Sequence, residues 1–383
     1  FIFCINAYAN LIMNPNTRIE KISLINFKNH LNTNLENLNT FIVLNGKNGS
    51  GKTNILEAIS LFSPGRGMKN SRLSEIPNKN QNQQSFDIKL NIKYETGEIQ
   101  LSRSFHNEEK NKNHILADNE KINNYQLLEF INILWITPIM EKVMLQSNSE
   151  KRNFFDRLIF NINKNHLKHY TKLQKLLSER LALLKNKKYD SNWLSIIEKN
   201  IANLSVQLLI NRKSFIDQLN KDLETVKRPF NTCQIDVDHE LSKLGNILNS
   251  EELISKYITV LSNNREIDSA LNKTSLTVNK VTIKIFNNTD KIIEAKNCST
   301  GEQKSILLSI FLSVAKMVKN KNNGRAPIIL IDEAMAHLDI DRKEFLFSEL
   351  SDLKSQVWFS GVSKNLFENI SDQTVFFEMK NII

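Results

Sequence analysis

Cysteine, glycine, proline and long apolar runs are all scarce in this chain. Its 383 residues include 3 Cys, 10 Gly and 6 Pro. Three cysteines cannot form a disulfide framework, and they show no metal-ligand spacing, so the sequence predicts a reducing, cytoplasmic compartment and no zinc site. The most apolar segment, 305–318, is interrupted by serines and a lysine and falls short of the roughly 18 residues of a membrane helix. We therefore expect no association with a membrane.

The N-terminus lacks the features of a signal peptide. Residues 1–12 are apolar but short, and no positively charged segment precedes them. Met13 lies just before the first regular pattern. We interpret residues 1–12 as an upstream extension or a fragment boundary.

Apolar and charged residues occur in the proportions of a globular protein, at 40% and 24%. These values exclude a wholly disordered chain, and the length predicts two or three domains. The outer thirds alternate as strands do, whereas 167–184 and 194–223 carry leucines and isoleucines at helical spacing around a short polar break. Residues 13–140 and 271–383 are therefore predicted to form one α/β domain with a mixed sheet, split by an inserted α-helical hairpin domain at 141–270.

A complete P-loop pattern follows the apolar strand predicted at 41–44. Its glycines let backbone N–H groups wrap phosphate oxygens, and a helix begins directly after it. The lysine would reach the β- and γ-phosphates, and the threonine hydroxyl would bind Mg²⁺. The pattern predicts an ATP site with Mg²⁺ at Gly46, Lys47, Asn48, Gly49, Ser50, Gly51, Lys52 and Thr53.

Two acidic residues end the apolar strand predicted at 327–331. A buried parallel strand would place Asp332 beside the P-loop, where its carboxylate would hold Mg²⁺. Glu333 would act as the general base that polarises the attacking water. The alternative is a strand that merely exits to solvent.

A third motif, Ser299-Thr-Gly-Glu-Gln303, lies just before a predicted helix. Ser299 and Glu302 have the spacing of a capping box, so one interpretation is a well-capped helix. The other is a second anion site, in which Ser299, Gly301, Glu302 and Gln303 act on the γ-phosphate of a nucleotide held by another subunit. The string resembles the signature of ABC ATPases, and Asp339 matches the D-loop of that family.

Spacing and further strings narrow the resemblance to the RecF family. Thr53 and Ser299 are 246 residues apart, which is too far for an ABC transporter subunit, and the chain is too short for the arms of SMC-like proteins. Further strings that resemble RecF are 22–28, 63–66, 135–138, 149–157, 298–304 and 336–339. The resemblance implies the fold of an ABC-type ATPase head, ATP-dependent homodimers, binding to single-stranded, double-stranded and gapped DNA, and cooperation with RecO and RecR to load RecA.

Three tracts depart from the RecF pattern. The family's Gly-Pro-His-Arg-x-Asp string is replaced by 274–281, and the tract 358–363 replaces a Thr-Gly-Thr string. Residues 139–141 offer no clear Q-loop glutamine. These departures are compatible with a working but altered ATPase or with a decaying gene.

The excess of positive charge is confined to one segment. Residues 151–228 contain 17 Lys and Arg against 7 Asp and Glu, and the rest of the chain is balanced at 34 against 34. Such localisation indicates a polyanion partner, here DNA, although a solvated helix face would give the same count. The candidate DNA contacts are Lys151, Arg152, Arg157, Lys185, Lys187 and Lys188.

Two classes of function remain open. The first is an ATPase that uses weak, DNA-dependent hydrolysis as a switch when it clamps DNA at gaps. The second is a catalytically weakened structural DNA clamp, which the departures would favour. Another ABC-type ATPase is a remote third.

Overall fold

The structure, a computed structural model, describes residues 17–79, 81, 84–95, 97–106, 112–186, 190–289, 292–333, 338–361 and 372–379. The chain divides into two compact units. Unit 1 comprises Phe1–Glu141 and Phe311–Ile383, and unit 2 comprises Lys142–Ile310. The second boundary therefore lies about forty residues beyond the expected position of 270, since a strand at 281–287 pairs with one at 233–239 inside unit 2.

Unit 1 contains an antiparallel sheet whose first strand begins at Arg18. Alternate residues of its long strands are buried, which is the pattern of a sheet with one face in the core. The strands at 85–94 and 97–106 pair with each other as a hairpin. The strand order is β2-β1-β4-β5-β6-β7, with β1 (Arg18–Phe27), β2 (His30–Leu35), β4 (Ser85–Tyr94), β5 (Gly97–His106), β6 (Lys112–Ala117) and β7 (Glu120–Lys121).

The second sheet of unit 1 is parallel and almost wholly buried. Four consecutive residues of each central strand are inaccessible, as expected for strands covered on both faces. Its order is β14-β3-β13-β12-β8, with β3 (Phe41–Asn45), β8 (Ile133–Ile136), β12 (Ile328–Asp332), β13 (Val357–Ser360) and β14 (Thr374–Glu378). The unit's helices are α1 (Lys52–Ser60), α2 (Asn124–Phe130), α3 (Pro138–Glu141) and α10 (Ile340–Leu353).

Unit 2 contains the predicted helical hairpin. Leu173, Ile197 and Ile201 are fully buried in its core, where the leucine and isoleucine stripes of the two long helices meet. The helices are α4 (Asn148–Ile162), α5 (Lys164–Lys185), α6 (Ser191–Glu224), α7 (Ser250–Asn263) and α8 (Arg265–Leu271). Helix α9 (Thr300–Lys321) contributes residues to both units.

A small antiparallel sheet completes unit 2. It has the order β11-β10-β9, with β9 (Cys233–His239), β10 (Val281–Asn287) and β11 (Ile293–Glu294). The predicted helical insertion therefore also contains a sheet, in which β9 follows α6 and pairs with β10 along its whole length. Short 3₁₀ turns lie at Leu73–Glu75, Val143–Leu145, Glu240–Leu244 and Ala295–Asn297.

Two buried arginines hold unit 2 together. Arg180 on α5 donates to Glu198 at 3.0 Å and to Asp268 at 2.7 Å, and its guanidinium has no exposed surface. Arg212 on α6 forms a bidentate pair with Asp156 at 2.7 and 2.8 Å. These side chains belong to the charge-rich segment but are directed into the core.

No described helix is long and apolar enough to cross a membrane.

Candidate nucleotide-binding site

The P-loop has the strand–loop–helix setting that the sequence predicted. It joins β3 to α1, and Gly46 and Gly51 have φ of +142° and +95°. A Cβ at Gly46 would lie 2.5 Å from the carbonyl oxygen of Met379, and one at Gly51 would lie 2.5 Å from Nε2 of His30. Only glycine fits these two positions without strain. Between them Lys47, Asn48 and Gly49 are exposed and Ser50 is buried.

Lys52 is turned into the loop. Its ammonium donates to the carbonyl oxygens of Gly46 at 2.7 Å and Lys47 at 2.8 Å. The side chain is only 6% exposed. A cation held at the centre of the loop can pair with phosphate oxygens at that place.

Two side chains from the turn between β1 and β2 brace the loop. Asn29 donates to the carbonyl of Gly49 at 3.2 Å, and Nε2 of His30 donates to that of Gly51 at 3.1 Å. Burial lowers the pKa of His30, while its bond to Gly51 opposes the shift. Sequence reasoning missed both residues, and the only available signal was a turn that follows an amphipathic strand.

Thr53, Asp332 and Ser360 meet at the carboxyl ends of three neighbouring strands. Pairing of β12, β13 and β3 sets Asp332 beside Ser360 and Ser360 beside Leu44, which precedes the P-loop. Thr53 donates to Oδ1 of Asp332 at 2.8 Å, and the hydroxyl of Ser360 donates to the same oxygen. The register thus places Asp332 next to the P-loop, as the sequence predicted.

Ser360 changes the interpretation of one departing tract. It lies within the tract 358–363, and its hydroxyl donates to Asp332. Residues 362 and 363 of that tract lie outside the described residues. In this chain the tract therefore supplies a hydroxyl contact to Asp332.

Glu333 leaves the strand with an unusual backbone. Its φ is +52°, a left-handed value that non-glycine residues seldom adopt. Its amide donates to the carbonyl of Ser360 at 3.3 Å, and its side chain is exposed. A Cβ at Gly361 would lie 2.7 Å from Cγ of Glu333, so this glycine leaves room for the acid. Strain of this kind at a strand end is typical of functional sites.

These side chains fit ATP and Mg²⁺. The P-loop supplies a fully formed glycine-rich turn and a lysine, and Thr53 and Asp332 bring two side-chain oxygen atoms together at 2.8 Å. Hydroxyl and carboxylate oxygens are what Mg²⁺ prefers. Among the described residues, no group of three or more histidine, cysteine, aspartate or glutamate side chains is arranged to hold a metal ion.

Asp339 caps a helix. It is the N-cap of α10 and accepts from the amide of Arg342 at 2.8 Å, with an ion pair to the same arginine at 3.2 Å. Residues 334–337, between Glu333 and Leu338, lie outside the described residues. The role expected for Asp339 in a D-loop therefore stays a prediction.

The signature residues lie in unit 2 at the start of α9. The hydroxyl of Ser299 donates to Oε2 of Glu302 at 2.7 Å, and the amide of Glu302 donates back at 3.3 Å. Gln303 donates to the carbonyl of Cys298 at 3.0 Å, and Gly301 lies in the first turn. Ser147 and Glu150 form an equivalent box on α4, so the capping geometry by itself does not identify an anion site.

The basic candidates differ in their surroundings. Lys151 is buried and donates to the carbonyl of Ile283 at 3.4 Å, and Arg152 donates to that of Asn279 at 2.9 Å. Burial lowers the pKa of Lys151. The guanidinium of Arg157 lies over the ring of Phe154, at 5.8 Å from its centroid.

These contacts disfavour the group 151–157 as the principal DNA contact. Lys151 and Arg152 on helix α4 are directed towards other parts of unit 2. A count of charges could not reveal this direction. Lys185 is exposed at the end of α5, whereas Lys187 and Lys188 lie outside the described residues.

The departing tract 274–281 lines the two arginine networks. Thr274 accepts from Arg180 at 3.3 Å, and the carbonyl of Val278 accepts from Arg212 at 2.6 Å. The tract therefore has a structural role in this chain. Residues 139–141 belong to α3 and provide no glutamine, as the sequence indicated.

The fold and site together define a P-loop ATPase head of the ABC and SMC class. The family model "RecF/RecN/SMC N terminal domain" matches residues 18–382. The DNA replication and repair protein RecF of Rickettsia massiliae is 34% identical over 359 residues, which cover 93% of this chain and 97% of the relative. The chain belongs to the RecF family, as its motifs predicted.

Solved structures agree on the fold. The recombination mediator protein RecF-ATPrS in the RecFOR pathway aligns with a TM-score of 0.82 at 20% identity, covering 97% of this chain and 98% of the other. The corresponding RecF-ATP structure aligns with a TM-score of 0.79 at 21% identity, covering 92% and 93%. The expected ABC-type ATPase head is therefore confirmed.

Proposed function

We propose that this chain is an ATP-dependent DNA-binding protein of recombinational gap repair and replication. In this proposal it dimerises on ATP at junctions of single-stranded and double-stranded DNA and helps to load RecA. Its partners would be DNA and proteins of the RecO and RecR type, in the cytoplasm. The names of the similar proteins support this role, since they include DNA replication and repair and the RecFOR pathway.

The contact between Thr53 and Asp332 carries the proposal for the ATP site. It joins the P-loop to the neighbouring acidic strand at 2.8 Å. Lys52 would bind the β- and γ-phosphates, and Thr53 and Asp332 would hold Mg²⁺, which offsets phosphate charge when bound. Glu333, exposed one residue further on, would accept a proton from the attacking water.

The signature would act on the nucleotide of a second copy. Ser299 and the first turn of α9 provide a hydroxyl and the positive end of a helix dipole, which favour an anion. Gly301, Glu302 and Gln303 complete that turn, and Asp339 would take part from the D-loop. ATP bound between two copies would then stabilise the dimer.

Weak, DNA-dependent hydrolysis would reset this switch. The alternative is a catalytically weakened structural DNA clamp, or more remotely another ABC-type ATPase. The hydroxyl that Ser360 presents to Asp332 favours a working site over a disabled one. Steady-state turnover with and without gapped DNA distinguishes the two.

Sedimentation with and without ATP and gapped DNA tests the switch. The unsubstituted protein should dimerise with ATP. Glu333→Gln should keep ATP binding, lose turnover by about 100-fold or more because the amide cannot accept the proton, and accumulate the dimer. Unchanged turnover in Glu333→Gln would remove this residue from the catalytic role.

Ser299→Arg tests the shared site. It should prevent dimerisation while each copy still binds ATP. The control is Ser147→Arg, because Ser147 donates to Glu150 at the same 2.7 Å in an equivalent capping box. If both variants dimerise normally with ATP, or both fail equally, the model of a nucleotide between two copies is wrong. A mixture of Ser299→Arg with Lys52→Ala should recover one intact composite site.

A further inference from the structure

The charge excess of residues 151–228 is concentrated on one of the two long helices. Helix α5 carries six basic residues and one acidic residue, whereas α6 carries four of each. The two helices pack against each other in the same hairpin. A bias towards lysine codons would have enriched both helices, so α5 itself requires an explanation.

Four of the α5 lysines form one stripe, which we call the α5 lysine stripe: Lys164, Lys168, Lys172 and Lys175. At 3.6 residues per turn, their spacings of four, four and three place them within an arc of about 80°. All four are exposed. The stripe is about 16 Å long at 1.5 Å per residue.

The opposite face of α5 is fixed in the core of unit 2. Leu173 and Arg180 have no exposed surface, and both lie about half a turn away from the stripe. Helix α5 therefore cannot rotate to bury its lysines. The stripe is held facing away from this core by the packing of the hairpin.

The lysines of the stripe are poorly neutralised. Across the described part of the chain, no ion pair joins Lys168, Lys172 or Lys175 to a carboxylate. The pKa of His169, which lies among them, is lowered by burial and by the positive charges of His166, Lys168 and Lys172. A row of exposed cations on a helix whose other face is fixed attracts a polyanion, and it does so best when the anion is linear.

From this geometry we propose that the α5 lysine stripe is a binding track for the phosphate backbone of DNA, read without regard to sequence. Neighbouring lysines are about 6 Å apart along the helix axis, a separation comparable to that of successive phosphates on one strand. Lysine supplies point charges without the planar fork that reads bases, so the track positions DNA and does not select sequence. The inference rests on the proposed DNA-binding function and specifies its surface.

The test neutralises the stripe in the full-length protein. The variant Lys168→Gln/Lys172→Gln/Lys175→Gln keeps good helix formers. Its matched control is Lys199→Gln/Lys213→Gln/Lys221→Gln, which removes three exposed lysines from α6. Binding to labelled gapped, single-stranded and duplex DNA is measured by fluorescence anisotropy over a range of salt concentrations, alongside ATP binding and thermal melting.

The DNA affinity of the stripe variant should fall about 30- to 100-fold. The slope of log K against log salt should become less steep by roughly 2 to 3, because each lost phosphate contact changes it by about 0.7 for single strands and about 0.9 for duplex DNA. The α6 control should bind DNA within about twofold of the unsubstituted protein, a difference small beside the change expected from three lost phosphate contacts. Equal losses of DNA affinity in both variants would mean that general surface charge, and not the α5 lysine stripe, determines binding. That result would overturn the proposed track.

Normal binding by the stripe variant would also overturn the track, but it would leave the proposed DNA-binding function intact. If the unsubstituted protein binds ATP but none of the DNA forms, the proposed function itself fails. The two proposals are therefore separated by the same experiment.

Discussion

The nucleotide site of unit 1 and the cationic segment of unit 2 were both conspicuous in the sequence, but the structure treats them differently. In unit 1 the P-loop joins β3 to α1, Asp332 ends its strand, and Thr53 contacts Asp332 across 279 residues of sequence. In unit 2, Lys151 and Arg152 were expected on the surface and instead bond to backbone carbonyls within the unit.

The difference shows which sequence signals specify where a residue lies in the fold. The P-loop pattern includes glycines that a backbone with positive φ requires, so the pattern encodes a conformation. A count of lysines and arginines encodes no direction. The helical phase of each residue, read against the apolar stripe, would have separated buried Arg180 from exposed Lys172.

The largest effect is expected for a substitution in the nucleotide site of unit 1. Lys52→Ala should abolish measurable ATP binding, a loss of about 1000-fold or more, because it removes the buried cation that would pair with the phosphates. Calorimetric titration with ATP measures it. Lys47→Ala is the matched control, since only the backbone carbonyl of Lys47 contacts Lys52. Comparable affinity in Lys52→Ala and the unsubstituted protein would refute the assignment of the site.

Much of the fold was predictable because its periodicity is strong. The strands at 41–45 and 328–332 and the helices α5 and α6 lie where apolar spacing placed them. The sheet of β9, β10 and β11 was missed because β9 and β10 are separated by about forty residues and form no local hairpin. Pairing of that kind is decided by packing in the folded unit, which a local pattern does not record.

The candidate site was predictable only for its motif residues. Asn29 and His30 contact the P-loop from a different sheet, so their role depends on tertiary structure. Ser360 lies in a tract that departs from the family string, and its hydroxyl contacts Asp332. The sequence of the tract alone did not reveal this contact.

The second prediction tests whether the cations of unit 2 are structural. Arg180→Leu should lower the free energy of unfolding by about 3–5 kcal/mol, because Glu198 and Asp268 remain buried after their shared partner is removed. Urea unfolding measures the change. Lys199→Leu, at an exposed position on α6, should change stability by less than about 0.5 kcal/mol. Similar effects of the two substitutions would mean that the buried network contributes little.

The third prediction concerns the stability of the folded protein at acidic pH. Burial lowers the pKa of His239 to about 4, and the positive charge of Arg212 adds to the shift. Above pH 6.5 the imidazole is neutral in both the folded and the unfolded chain. As the pH falls from 6.5 to 4 only the unfolded chain takes up the proton, so the free energy of unfolding should fall by about 3 kcal/mol.

Urea unfolding at pH 7.5, 6 and 5 measures this dependence. The pair of Asp156 with Arg212 does not oppose it in that range, because the pKa of Asp156 is lowered to about 2 despite burial, which on its own would raise it. His239→Gln should flatten the pH dependence whatever it does to stability at pH 7.5. The same slope in the variant would assign the acid sensitivity to another group.

The smallest effect is expected for a substitution of Ser360, which also lies in the nucleotide site of unit 1. Ser360→Ala removes the hydroxyl that donates to Oδ1 of Asp332, while Thr53 still donates to the same oxygen. Because a residue that only orients a metal ligand typically costs 10- to 100-fold when lost, and one donor remains, we expect ATP turnover to fall about 10-fold and the Mg²⁺ concentration for half-maximal rate to rise. Ser360→Thr restores a hydroxyl and should recover most of the activity. If Ser360→Ala and Ser360→Thr have equal activity, the hydroxyl does not orient Asp332, and the departure from the family string affects packing only.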